Sequence, residues 1–276
     1  MHGIKTRSEM RLKLDLQTND KLLTVNYNYY LSAAIYKLLK LGSHEFASFL
    51  HDIGYKLNGR TYKLFCFAMR FDSIKIINGE IHMLEKGANL YITSPLIEEF
   101  IRNFIIGTFE EQKIEISDSR IKCTFIISQV QSQPEPDFQE INYFKMLSPM
   151  VLSTVEERDN NLHQHFFRYN EDINEINRVF NQNLKNKYKL LYNSDYTGDD
   201  LILIWDKDYI TKKLAEGKRL TKKISITKND ERPVEIIANE IPFTLSGNKE
   251  LIKVGYECGF GEKNSMGFGL GETISN

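Results

Sequence analysis

Leu12, Leu14 and Leu16 alternate with Arg11, Lys13 and Asp15, so Met10–Gln17 carries the period of a strand with one buried face. Past a polar turn and the extended run Leu22–Asn26 the period changes. Leu31, Ile35, Leu38 and Leu39 fall at helical spacing. Gly42-Ser43 breaks that helix, and Ser43 can cap a second one, Ser43–Asp52, carrying Phe46, Phe49 and Leu50. Strand-like runs follow at Tyr62–Arg70, Glu80–Leu84 and Asn89–Thr93, with Gly79 and Gly87 at the turns. Ser94-Pro95 predicts a helix start, with a capping side chain before a proline at the first helical position. Leu96, Phe100, Ile101, Phe104 and Ile105 share the face of that helix, and Lys113–Val130 reads as a long strand pair.

Gln131–Asp137 is polar, holds two prolines and predicts a domain boundary. Beyond it the pattern predicts a strand over Phe144–Thr154 and a polar loop over Glu156–His165. A helix follows, with Ile173, Ile176, Phe180, Leu184, Tyr188 and Leu191 at steps of three and four. Strands fit Leu201–Tyr209, Leu220–Thr227 and Val234–Leu245, and Ser246-Gly247-Asn248 opens a short helix over Lys249–Glu257. Each half thus repeats the order strand-helix-strand-strand-helix-strand. The expected class is α+β, two tandem ferredoxin-like (RRM-like) domains spanning 10–131 and 138–276, with residues 1–9 a leader or a disordered extension.

Composition narrows the partners. At 41% hydrophobic and 12% aromatic residues, the 276-residue chain can fill two packed cores. Its formal net charge of -1 excludes a uniformly basic nucleic-acid binder. The cations are segregated, however. Lys207, Lys212, Lys213, Lys218, Arg219, Lys222, Lys223 and Lys228 face only Asp208 and Glu216 within Lys207–Lys228. With Gly217 as its turn, this segment predicts a basic hairpin, in which Lys212, Lys213, Lys218, Arg219, Lys222 and Lys223 would project toward the phosphates of a polyanion. A solvated hairpin whose lysines protect a sheet edge would have the same composition. Lys185, Lys187 and Lys189 form a further, less specific cluster on the long helix of the second half. Cys66, Cys123 and Cys258 are odd in number and far apart, which predicts no disulfide scaffold, no structural zinc and a reducing cytoplasm. No apolar run approaches the roughly 20 residues of a membrane span, so no membrane partner is expected.

The run Gly255–Glu272, GYECGFGEKNSMGFGLGE, concentrates glycine after a helix. Gly259 and Gly261 can take positive φ there, and successive amides could form an anion-binding nest. A tight helix-to-strand connection without a ligand fits the same residues. The spacing matches neither a nucleotide-binding P-loop nor a dinucleotide fingerprint. Together KVGYECGFGEKNSMGFG, NYNYYLSAAIYKLL (Asn26–Leu39), FLHD (Phe49–Asp52), YKLFCFAMRF (Tyr62–Phe71) and SPMVL (Ser148–Leu152) resemble the CRISPR-associated endoribonucleases that process repeat RNA. The resemblance spans most of residues 10–272, and the glycine run is its most specific part.

That resemblance implies two ferredoxin-like domains holding a precursor CRISPR repeat RNA, and cleavage without a metal or other cofactor. The ribose 2′-hydroxyl would be the nucleophile, leaving a 2′,3′-cyclic phosphate and a 5′-hydroxyl. A non-catalytic repeat-RNA-binding subunit of a CRISPR effector complex is the alternative, with effector subunits as further partners. Monomer and homodimer stay equally open. The chemistry needs two proton transfers, which suit histidine, and positive charge on the phosphoryl oxygens. His51 falls where the family places its catalytic histidine, and Tyr36 and Lys63 where related enzymes complete the site. By themselves these residues are also a helix-end imidazole, a packing tyrosine and a strand-edge lysine, and Lys56 competes with Lys63. His44, two turns before His51, is the rival histidine. His163 and His165 read as members of a solvated loop, and His82 as a structural or surface residue of a strand. The glycine loop would contribute Gly259, Gly261, Lys263, Gly267 and Gly269 to the RNA surface. The aromatic signature of RNA recognition motifs lies on none of the expected central strands, so phosphate contacts rather than base stacking on the sheet are expected.

Overall fold

A computed structural model of the chain describes residues 11–158, 161–226 and 234–274. Residues 1–9, expected as a leader, and Lys228 lie outside the described residues. In the first half, β1 (Arg11–Gln17) is followed by α1 (Tyr27–Gly42) and by α2 (His44–Ser48), which runs on into a wider π-turn, Phe49–Ile53. Then come β2 (Cys66–Phe71), β3 (Gly87–Thr93), α3 (Arg102–Glu111), β4 (Lys113–Ser117) and β5 (Lys122–Gln133). The antiparallel sheet has the order β2-β3-β1-β5-β4. Without the outer β4 this is ferredoxin order, with β1 central. The leucine alternation explains why: Leu12, Leu14 and Leu16 are buried with Leu31, Ile35, Leu38, Phe100 and Phe104 of the helical layer. Ser43 caps α2 through its hydroxyl, which accepts from the Phe46 amide at 3.3 Å.

The second half contains β6 (Ile141–Met146), β7 (Ser153–Arg158), β8 (Asn161–Phe166), α4 (Ile173–Tyr192), β9 (Ile202–Trp205) and α5 (Lys207–Ala215). The chain continues with β10 (Thr221–Ile226), β11 (Val234–Asn239), β12 (Phe243–Ser246), α6 (Lys249–Cys258) and β13 (Gly271–Thr273). Its main sheet has the order β9-β12-β6-β13, the ferredoxin arrangement again. Phe144, Leu203, Phe243 and Leu245 of this sheet pack on Ile176, Phe180 and Leu184 of α4 and on Leu251 and Ile252 of α6.

Several expected boundaries differ. The helix expected at Ser94-Pro95 begins at Ile97, with Ser94 Oγ accepting from the Leu96 amide at 3.1 Å. The strand expected over Tyr62–Arg70 breaks at Lys63–Phe65, where Leu64 has φ +51°. The strand expected over Phe144–Thr154 ends at Met146. The polar loop expected at Glu156–His165 is the β7–β8 hairpin. Val155 and Leu162 on it are exposed, so no apolar face signals a strand. The basic hairpin expected over Lys207–Lys228 does not form either. Its first limb is α5, capped by Asp206, whose carboxylate accepts from the Tyr209 amide at 2.8 Å. Gly217, with φ +67°, follows the end of that helix, and among the described residues of the segment only Thr221–Ile226 is strand, paired with β11.

The halves are joined through buried groups. The Arg11 guanidinium donates to the carbonyls of Gly271 at 2.8 Å and Tyr256 at 3.1 Å and lies 3.8 Å from the centre of the Tyr256 ring. Burial pulls its pKa down. The Cys66 thiol donates to the Phe268 carbonyl at 3.1 Å, and burial pushes it up to about 12, an inert packing cysteine. All three cysteines are buried, and among the described residues none forms a disulfide. Among the described residues, no helix is long and apolar enough to cross a membrane.

Candidate active site and nucleic-acid cleft

The break after Tyr62 turns Lys63 out of the strand and under the π-turn that ends α2. Its ammonium donates to the Leu50 carbonyl and, at 2.7 Å, to the His51 carbonyl. Those are carbonyls that a helix end otherwise leaves without partners. Burial lowers the Lys63 pKa, and Asp52 opposes the shift. The His51 side chain is 66% exposed, and its Nδ1 is 2.7 Å from Asp52 Oδ1. Tyr36, one face of α1, meets the imidazole edge-on, with 5.1 Å between ring centroids and planes at 90°. Burial raises the Tyr36 pKa, and the Ser265 side chain pulls it the other way. The structure therefore brings Tyr36, His51 and Lys63 together.

It leaves the rivals apart. Lys56 is exposed on a short strand, opposite Thr61. His44 is exposed at the first residue of α2. His82 lies 4.0 Å from Glu80 on a short strand, Glu80–Met83. His165 is held by Glu171, 2.6 Å from its Nε2, with Glu156 3.8 Å from Nδ1. Among the described residues no three His, Cys, Asp or Glu side chains converge as a metal site would require.

Beside this cluster a cleft of about 620 Å³ opens between the halves. Arg60, Lys63 and Phe65 line it on one side, and Leu162, His163 and Gln164 of the β7–β8 hairpin on the other. The glycine loop forms its floor and presents Lys263, Ser265 and Met266. Its four glycines, Gly259, Gly261, Gly267 and Gly269, all have positive φ and are buried. A Cβ at Gly261 would overlap the Val151 carbonyl oxygen, and one at Gly269 the Phe260 carbonyl oxygen. Two of the loop's glycine amides are engaged within the protein. The Gly267 amide donates to the Asn264 carbonyl at 3.0 Å and the Gly269 amide to Pro149 at 2.9 Å. What converges instead is carbonyl oxygen: Gly259, Gly261 and the Asn264 side chain surround Lys187 Nζ at 2.7, 2.7 and 2.8 Å.

Lys187 was indistinguishable in composition from its neighbours, yet Lys185 and Lys189 pair with Asp200 and Asp195 at the surface. The signal lies in its register. Phe180, Leu184 and Lys187 follow one another at steps of four and three, so the lysine stands on the buried stripe of α4. His163 was likewise missed as a wall of the cleft, because the hairpin carrying it has no strand pattern. In the basic segment, Lys213 and Lys218 pair with Glu216 at 3.0 and 3.3 Å, Lys222 with Glu240 at 2.5 Å and Lys223 with Glu235 at 2.6 Å. Lys212 and Arg219 are exposed.

Comparison with known proteins places this arrangement. A family model described as CRISPR associated protein Cas6, C-terminal, matches residues 132–273. A second, CRISPR-associated protein Cas6, N-terminal, matches residues 22–131. The chain belongs to the Cas6 family of CRISPR-associated proteins. CRISPR-associated endoribonuclease Cas6 1 of Methanocaldococcus jannaschii is 33% identical over 266 residues, covering 96% of this chain and 92% of that protein. CRISPR-associated endoribonuclease Cas6 of Pyrococcus furiosus is 26% identical over 268 residues, covering 96% and 89%. A solved structure titled CRISPR associated protein Cas6 superposes with a TM-score of 0.73 at 28% identity, covering 97% of this chain and all of the other.

Proposed function

We propose that this protein is an endoribonuclease that cleaves precursor CRISPR RNA within its repeats, by attack of a ribose 2′-hydroxyl on the adjacent phosphate. The convergence of Tyr36, His51 and Lys63 at the edge of the cleft carries this reading. The 2′-oxygen bonds to phosphorus as the bond to the 5′-oxygen breaks. The nucleophile gives up its proton and the leaving oxygen gains one, so the products are a 2′,3′-cyclic phosphate and a 5′-hydroxyl. The nucleophile is part of the RNA, and the chemistry asks for proton transfer and charge stabilisation rather than a metal-bound water. His51 Nε2 serves one proton transfer. Tyr36 holds the imidazole and the reacting ribose in place. Lys63 fixes the turn bearing His51 and adds positive charge near the phosphoryl oxygens. In this reading residues 10–131 supply the reacting groups. Residues 138–276 supply the basic surface, including Lys212, Arg219 and Lys263, for the phosphates of the repeat.

The test incubates labelled repeat RNA with the protein in excess chelator. Beside it run the same RNA with one 2′-deoxy ribose at the cut, and the His51→Ala variant. Cleavage of the all-ribose RNA alone, by the unmodified protein alone, is expected. Turnover of the deoxy substrate would remove the mechanism. Tight binding without any product would make the chain an RNA-binding subunit instead.

A further inference from the structure

A second cavity, of about 180 Å³, adjoins the cleft at Arg60 and Asn183, which line both. Its lining differs in kind. Tyr62, Phe65, Leu162 and Met266 wall the cleft, whereas here the amides of Asn58, Gln182, Asn183 and Asn186 converge. Asn58 comes from the turn between two short strands of the first half, Tyr55–Leu57 and Arg60–Tyr62, and the other three from α4. Asn186 is buried and engaged by the protein. Its Nδ2 donates to Tyr62 Oη at 2.9 Å, and its Oδ1 accepts from Gln182 Nε2 at 3.0 Å and Asn58 Nδ2 at 3.4 Å. One buried side chain thereby orients two exposed amides. Asn183 is different. It is 4% exposed, and its Oδ1 is buried with no hydrogen-bond partner among the described residues. A buried amide oxygen without a donor is costly and uncommon. Among the described residues with such an atom, Asn183 alone lines the cleft. Arg60 stands at the junction of the two cavities. Its guanidinium donates to Glu262 Oε1, and the other oxygen of that carboxylate accepts from Ser153 Oγ at 2.7 Å. The glycine loop thus fixes one edge of Arg60, whose side chain stays 43% exposed with donors left for a phosphate.

We propose that this cavity is a second nucleotide subsite for repeat RNA, taking one unpaired base whose N–H edge supplies the donor that Asn183 Oδ1 lacks. The terminal torsion of an asparagine is broad, so the amide turns to present its oxygen as the base enters. The amides of Gln182 and Asn58 meet the rest of that edge. Arg60 holds the phosphate that joins this nucleotide to its neighbour in the cleft. The inference rests on the reading of the chain as a repeat-RNA endoribonuclease and deepens it, by giving the enzyme a place where sequence is read. Continuity with the cleft favours RNA over a detached small molecule: a polymer occupies two adjoining cavities and keeps a cation between them on its backbone. Amides suit the task because each offers both a donor and an acceptor, as base edges do. Arginine alone would hold phosphate without distinguishing bases.

The experiment uses repeat RNA with one 2′-deoxy ribose at the cut, and a set of such RNAs each lacking a single base. Filter binding gives the Kd of each for the full chain, for Asn183→Leu and for Gln182→Ala, and thermal melting checks that the variants fold. At one position, loss of the base is expected to weaken binding by the unmodified protein about tenfold. Asn183→Leu should bind the complete RNA about three- to tenfold more weakly. Removing that same base should cost this variant little more, because the base has already lost its partner. Bases elsewhere should cost all three proteins alike. An unchanged Kd for Asn183→Leu on the complete RNA would overturn the proposal, and so would a base-loss profile matching that of the unmodified protein. Gln182 is exposed, so Gln182→Ala decides the matter if Asn183→Leu does not fold: full affinity with the unmodified profile rejects the subsite. If the unmodified protein does not bind repeat RNA, the functional reading falls and this inference with it. If it binds and cleaves while the profiles coincide, the inference alone falls.

Discussion

The ring of Tyr36 stands perpendicular to the imidazole of His51 at 5.1 Å between centroids. One residue comes from a long helix and the other from the π-turn that ends the next, and the contact sets the plane of an otherwise exposed imidazole. His51→Ala is expected to lower the single-turnover rate by about 10²–10⁴-fold, the usual worth of general acid–base catalysis. RNA affinity and thermal melting should stay near those of the unmodified protein, because the side chain is largely in solvent. A loss of affinity matching the loss of rate would show His51 to be a binding residue.

Lys63 supports that imidazole from below, through the carbonyls of Leu50 and His51. Lys63→Met leaves those acceptors without a donor. Stability should fall by about 1 kcal/mol, measured by urea denaturation, and cleavage by more than that loss explains. Lys56→Met, in which an exposed strand residue is altered, is expected to change neither.

Burial of Lys187 makes stability depend on pH. Its folded pKa of about 8 lies below the ordinary lysine value of 10.5, so between those values the unfolded chain binds more protons than the folded one. Stability from this group therefore rises as pH increases from about 8 to 10.5, and is flat below. Denaturation curves across that window should show the rise in the unmodified protein and its absence in Lys187→Met.

Gly261 sits where a side chain has no room and φ is +72°. Gly261→Ala is expected to cost about 2–4 kcal/mol, the sum of left-handed strain and displacement of the Val151 backbone. Chemical denaturation measures it. Gly217→Ala, also at positive φ but with open space around it, should cost about 1 kcal/mol.

Charge contacts with RNA should appear in the salt dependence of binding. Lys212 and Arg219 are exposed, whereas Lys222 and Lys223 are engaged by Glu240 and Glu235. Lys212→Ala and Arg219→Ala should each flatten the slope of log K against log salt by about 0.7, one phosphate contact on a single strand. Lys222→Ala and Lys223→Ala should flatten it less.

What could be read from sequence follows what the chain buries. The leucines of β1 and the stripe of α4 announce themselves because each has one apolar face, and the order of such elements suffices for two ferredoxin-like halves. α5 buries none of its residues, so its nine residues have no apolar stripe, and a lysine-rich helix passed for a hairpin limb. The β7–β8 hairpin fails for the same reason, exposing Val155 and Leu162 where a strand pattern would hide them. The cluster around His51 was legible through its resemblance to a known family. Lys187 was not, since a lysine among lysines differs only in what surrounds it.

The ties from the Ser265 carbonyl to Ser32 and from the Gly271 carbonyl to Arg11 set an order of events during synthesis. A ribosome translates Tyr36, His51 and Lys63 more than two hundred residues before it reaches Ser265. Until then the first helix lacks the loop whose carbonyl accepts from Ser32. A chain released early would therefore carry every reacting group of the proposed site without the loop that lines the cleft beside it.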